Sequence, residues 1–95
     1  MTVGVQWVGA TRAADASQAA YFRGLLADQR QETMGDLALS RARLRDCMAG
    51  EQVVGLHAMA RMRSDVRELE AKKRELDRLI AALDRRFSAL WSQQG

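Results

Sequence analysis

The stretch MARMRSDVRELEAKKRELDRLIAALDRRFSAL, residues 59–90, decides the fold. Met59, Met62, Val66, Leu69, Lys73, Leu76, Ile80, Leu83, Phe87 and Leu90 follow an unbroken alternation of three and four, and all but Lys73 are apolar. A straight helix has 3.6 residues per turn, so a stripe repeating every 3.5 keeps facing a neighbour only when two helices wind around each other left-handedly. The stripe therefore predicts a partner helix. With Val66, Lys73, Ile80 and Phe87 at a and Leu69, Leu76, Leu83 and Leu90 at d, the pattern is that of a zipper with one polar a position. The stem of Lys73 is expected to lie along the seam while its ammonium reaches water. Leu79 and Trp91 widen the stripe beyond a two-helix seam, which implies more than one neighbour.

Working back from this segment, GEQVVG at 50–55 brackets a break in periodicity with two glycines and predicts a turn, with Gly50 as the left-handed cap of the preceding helix. Upstream, Asp15 and Gln18 form a capping pair that would start a first helix over about 15–49. Its apolar side reads Ala19, Phe22, Leu26, Leu37, Leu44 and Met48, interrupted by Gln29, Thr33 and Ser40, so it is the weaker core former; Gly35 invites a kink. The second helix is expected over about 56–91. Two helices of matched length joined by a short turn make an antiparallel hairpin the economical arrangement. A single hairpin has one inner face, and that small core must offset the chain's conformational entropy. Dimerisation into a four-helix bundle would supply the missing area. Residues 1–14 carry Val3, Val5 and Trp7 in alternation, with Gly4 and Gly9, and read as an extended arm whose Trp7 packs on a helix.

Composition agrees with an all-α, coiled-coil-like domain. The 95 residues suffice for one domain, contain no Pro, and include only two Trp, one Tyr and two Phe. Fifteen Lys and Arg against twelve Asp and Glu give a net charge of +3, with the signs interspersed as on a solvated helical surface. The lone Cys47 cannot form an intrachain disulfide, and MTVGVQWVGATR lacks the apolar run of a signal peptide, so a cytoplasmic location is expected. No segment approaches the roughly 18 apolar residues of a membrane span.

Chemistry-bearing constellations are few. Cys47, Met48, His57, Met59 and Met62 gather near the turn, but Met59 and Met62 belong to the seam and no pair has the short ligand spacing of a zinc site, so no metal or cofactor is expected. His57 has no nucleophile partner in a recognisable motif, and no catalytic residues are assigned. Arg41, Arg43, Arg45, Arg61, Arg63 and Arg67 concentrate positive charge near the turn, yet Asp36, Asp46, Glu51 and Asp65 interrupt them. The chain thus reads as a non-enzymatic protein–protein interaction module that self-associates, a homodimer being favoured, with Trp7, Arg41, Arg43, Arg45, Arg61 and Arg63 as surface open to a second protein. The alternative is a small regulator binding nucleic acid through the paired Arg stretches, with no membrane partner in either case.

Overall fold

The computed structural model describes the backbone of residues 2–50 and 53–94, and side chains over 12–50 and 53–93. These residues form two helices and no strand: α1, Thr2–Met48, and α2, Leu56–Gln94, packed along each other. At 1.5 Å per residue α1 is about 70 Å long, which accounts for the 74 × 22 × 15 Å envelope. Chains of this length that fold compactly have a radius of gyration of about 12 Å, whereas here it is 20.9 Å.

The turn forms as its glycines dictate. The Ala49 N–H donates to the Arg45 carbonyl at 2.8 Å and the Gly50 N–H to the Cys47 carbonyl at 3.2 Å, closing the end of α1. Gly50 takes φ 79°, the left-handed conformation that a side chain would penalise. On the far side of the turn the Gly55 carbonyl accepts the Met59 N–H at 3.0 Å and begins α2. Residues 51 and 52, the middle of the expected turn, lie outside the described residues.

The beginning of the chain differs from its sequence reading. Residues 2–14 continue α1 and are not an extended arm, and Asp15 and Gln18 fall inside the helix instead of capping it. Extending an existing helix adds one hydrogen bond per residue fixed, and with Ala10, Arg12, Ala13 and Ala14 next in line this outweighs the roughly 1 kcal/mol that Gly4 and Gly9 each forfeit. The Trp7 side chain, expected to pack on a helix, lies outside the described residues. Helix α1 also passes through Gly24 and Gly35 without interruption.

Three contacts fix how the helices face each other. The Trp91 indole N–H donates to the Ala16 carbonyl at 2.9 Å, Arg23 pairs with Asp84 and Arg30 with Asp77. Each contact advances seven residues on α1 and retreats seven on α2, so the helices run antiparallel with a seven-residue repeat in common. All ten positions of the α2 stripe are buried or half-buried, and the partner that the stripe requires is the chain's own first helix.

Matching that stripe, the inward positions of α1 are Ala16, Ala19, Arg23, Leu26, Arg30, Thr33, Leu37, Ser40, Leu44 and Cys47, again alternating three and four. This corrects the expected apolar side of α1. Phe22 and Met48 are 50% and 63% exposed, and Arg23, Arg30 and Cys47 take inward places. The α2 repeat of 3.5 imposes the same period on α1, and a stripe through Phe22 and Met48 drifts off it. At the open end the small Ala16 and Ala19 leave room for Phe87, with Leu83, Leu90 and Trp91 packed around them. Phe87 and Trp91 stack with ring centroids 5.8 Å apart.

Candidate functional site: the flanks of the hairpin

Viewed down its length, the hairpin has two edges where α1 and α2 meet solvent, and they differ in kind. Along one edge α1 presents Arg23, Arg30 and Arg41, and α2 presents Asp84, Asp77 and Glu70. Arg23 grips Asp84 with both arms of its guanidinium, Nε to Oδ1 at 2.5 Å and Nη2 to Oδ2 at 3.1 Å. Arg30 donates to Asp77, which also accepts from Lys73 Nζ at 3.0 Å. Nearer the turn, Arg41 reaches Glu70 at 3.2 Å. Lys73 is half-buried at its seam position, and its ammonium meets the Asp77 carboxylate at the rim.

These pairs set the titration of the edge. The hydrogen bond from Arg30, reinforced by that from Lys73, holds Asp77 below the usual carboxylate range. Arg23 does the same to Asp84 through its hydrogen bond, and in return the Arg23 guanidinium is pushed up. Burial opposes each shift and is outweighed. All three side chains remain more than one-third exposed, so solvent screens the pairs and they set register and orientation more than stability.

Beside this edge, at mid-length, the core itself turns polar. Thr33 is buried to 1% exposure, and its hydroxyl has no hydrogen-bond partner. An unsatisfied buried hydroxyl costs on the order of 1–3 kcal/mol.

The other edge is apolar and open. On α1 Phe22 and Leu25 are 50% and 43% exposed, and on α2 Leu79 is 41% exposed. Phe22 shares a shallow hollow with Gln18, Arg86 and Phe87. Ala82 is likewise exposed on this side, and by the seven-residue register Leu25 lies level with it. Arg86 sits over the Phe87 ring at 5.2 Å from its centroid.

The surface residues expected from sequence are dispersed. Arg43 and Arg61 line a common hollow of about 310 Å³ near the turn, together with Ser40, Met62 and Asp65. Arg41 is engaged on the ion-paired edge with Glu70, while Arg45 and Arg63 are exposed and belong to neither grouping. Cys47 is buried, its sulfur 3.6 Å from that of Met62, and His57 is exposed. Among the described residues no group of three or more His, Cys, Asp and Glu is disposed to hold a metal ion, and no helix is long and apolar enough to cross a membrane.

No protein-family model matches the chain, and comparison with curated proteins and with solved structures finds no similar chain.

The apolar edge was only half legible in the sequence. Leu79 stands out as an apolar residue beyond the seam, but the periodicity of α1 counts Phe22 among core residues and gives Leu25 no place. A signal existed in the charges: Arg23 and Arg30 are seven apart, as are Asp77 and Asp84, and that spacing assigns the closed edge and, by elimination, the open one.

Proposed function

We propose that this chain is a non-enzymatic helical interaction module that self-associates, two hairpins sharing their open edges as a dimeric, coiled-coil-like four-helix bundle in the cytoplasm. The observation that carries this reading is the surface left uncovered. A compact monomer of 10.6 kDa exposes about 5,500 Å², whereas this hairpin exposes 7385 Å². An elongated hairpin exposes more than a compact chain of equal mass, so the area alone marks no face; what marks one is that Phe22, Leu25 and Leu79 stand 50%, 43% and 41% exposed along a single edge. Its open edge gathers the residues that association would bury, and its other edge is closed by ion pairs.

The seam of α2, Met59 through Leu90, serves this assembly indirectly by building the hairpin that presents the open edge. The shifted carboxylates, Asp77 and Asp84, each face an Arg across the closed edge, an arrangement suited to holding register and without the paired, unneutralised groups of acid–base catalysis. Asp65 inside the hollow of Arg43 and Arg61 weakens its attraction for phosphate, which favours a protein partner over nucleic acid.

Sedimentation equilibrium over a wide range of chain concentration tests the proposal. A reversible species of twice the 10.6 kDa chain mass is expected. A mass of one chain at every concentration up to the millimolar range would overturn it.

A further inference from the structure

Resting on the self-association proposed above, we infer which face is used and how the copies are oriented: the Phe22, Leu25 and Leu79 edge packs on the same edge of a second copy, with the two turns at the same end. Phe22 and Leu25 of one chain then lie against Leu79, Ala82 and the Arg86 stem of the other. The occupant is a second copy because the charges that continue this edge complement each other between α1 and α2.

Beyond Leu25 the edge of α1 continues as Glu32 and Asp36, both exposed, and the only cation between residues 24 and 40, Arg30, is committed to Asp77. On α2 the edge carries Lys72 and Glu75 before Leu79 and Arg86 after it, and Glu75 is paired with Arg78 of its own helix. Among the described residues no ion pair engages Glu32, Asp36 or Lys72 within the hairpin. With the turns together, a two-fold axis along the bundle lays α1 of each chain beside α2 of the other at the same level, since Asp36 and Lys72 are level in the hairpin register. Asp36 then meets Lys72, Glu32 faces a Glu75 that Arg78 already neutralises, and apolar meets apolar. With the turns at opposite ends, α2 would lie on α2, and an axis near Leu79 would set Lys72 opposite Arg86. That juxtaposes like charges beside a desolvated patch, which disfavours the docking.

Such a two-fold contact is self-complementary, because each copy offers the same α1 and α2 strips and receives the other's. It also closes, leaving neither Phe22–Leu25 strip unpaired and arresting assembly at two chains. The polar rim of Glu32, Asp36 and Lys72 around an apolar centre follows the anatomy of protein interfaces.

Two experiments test face and orientation separately from self-association. The double variant Phe22→Ser/Leu25→Ser alters only exposed side chains, so helicity by circular dichroism should be retained while the dimer weakens about a hundredfold, the loss expected from removing two large apolar contacts. Orientation is read with Gln18→Cys in one tagged chain and Ala89→Cys in another, both carrying Cys47→Ala, mixed and oxidised. Same-end docking predicts that the mixed 18–89 disulfide dominates over 18–18 and 89–89 products. Wild-type dimers whose affinity is unchanged by the double variant would refute the face. Opposite-end docking about an axis near Leu79 keeps 18 and 89 about 30 Å from either position in the other copy, so a dimer that fails to form the mixed disulfide would refute the orientation. Both outcomes leave self-association standing. A wild-type chain that is monomeric throughout would instead remove the reading on which the inference rests.

Discussion

Replacing Thr33 with Val should make this protein more stable. Thr33 occupies a core position of α1 at 1% exposure, and its hydroxyl has no hydrogen-bond partner. Removing it relieves a desolvation penalty of about 1–3 kcal/mol, and the methyl that replaces it packs against the same neighbours. Thr and Val are both β-branched and differ little in helix propensity, so the backbone contributes almost nothing to the change. A net gain of about 1 kcal/mol is the conservative expectation, equivalent to a rise in Tm of roughly 4–8 °C for a domain of this size. The measurement is urea denaturation followed by circular dichroism at one chain concentration, because association adds its own stabilisation by mass action. The midpoint should rise with an unchanged m-value. Thr33→Ser is the control: it keeps the hydroxyl and deletes the methyl, and it should lower the midpoint. If Thr33→Val lowers it instead, the hydroxyl has a partner and the polar layer at mid-length is satisfied.

Other consequences follow from the same contacts. Gly35→Ala should stabilise α1 by about 0.8–1 kcal/mol, since an added Cβ meets nothing within 4 Å and the residue is helical; a lowered denaturation midpoint would indicate a bend there. Asp77 and Asp84 titrate below the usual carboxylate range in the folded chain. Their contribution is therefore present above the carboxylate pKa of the unfolded chain and is lost as pH falls through their depressed folded values. The acid limb of a Tm–pH profile should flatten in Asp77→Asn/Asp84→Asn, and an unaltered limb would show that these pairs do not form in solution. Trp91→Phe removes the donor to the Ala16 carbonyl, for a loss of about 1 kcal/mol, and hydrogen exchange should quicken at residues 13–20 before it does near the turn.

The α2 stripe was legible because nine apolar residues hold a single period, and its register is then a matter of geometry. Gly50 was legible because a left-handed cap admits few other residues. The inward face of α1 was not, because two of its places are filled by Arg. An arginine reads as surface when its partner is unknown, and its partners, Asp77 and Asp84, lie 47 and 61 residues away. The beginning of the chain misled for a different reason. Local glycines and alternating valines argue for extended structure, but a helix already nucleated downstream propagates through them at modest cost. The open edge emerges only once both helices are in register, because Phe22 and Leu25 on one and Leu79 on the other are far apart in sequence.

Self-association and its orientation both presuppose the antiparallel hairpin, and one distance tests it. Spin labels at Tyr21 and Arg85, exposed positions on the two helices, should be measured by pulsed dipolar spectroscopy in labelled chains diluted into excess unlabelled chain. The register places these residues almost level on helices whose axes are about 8–10 Å apart, so a single intrachain distance on the order of 20 Å is predicted. A chain that pairs its α2 seam with α2 of another copy, its two helices running on in line, would separate the labels by on the order of 90 Å, and such a distance would contradict the hairpin.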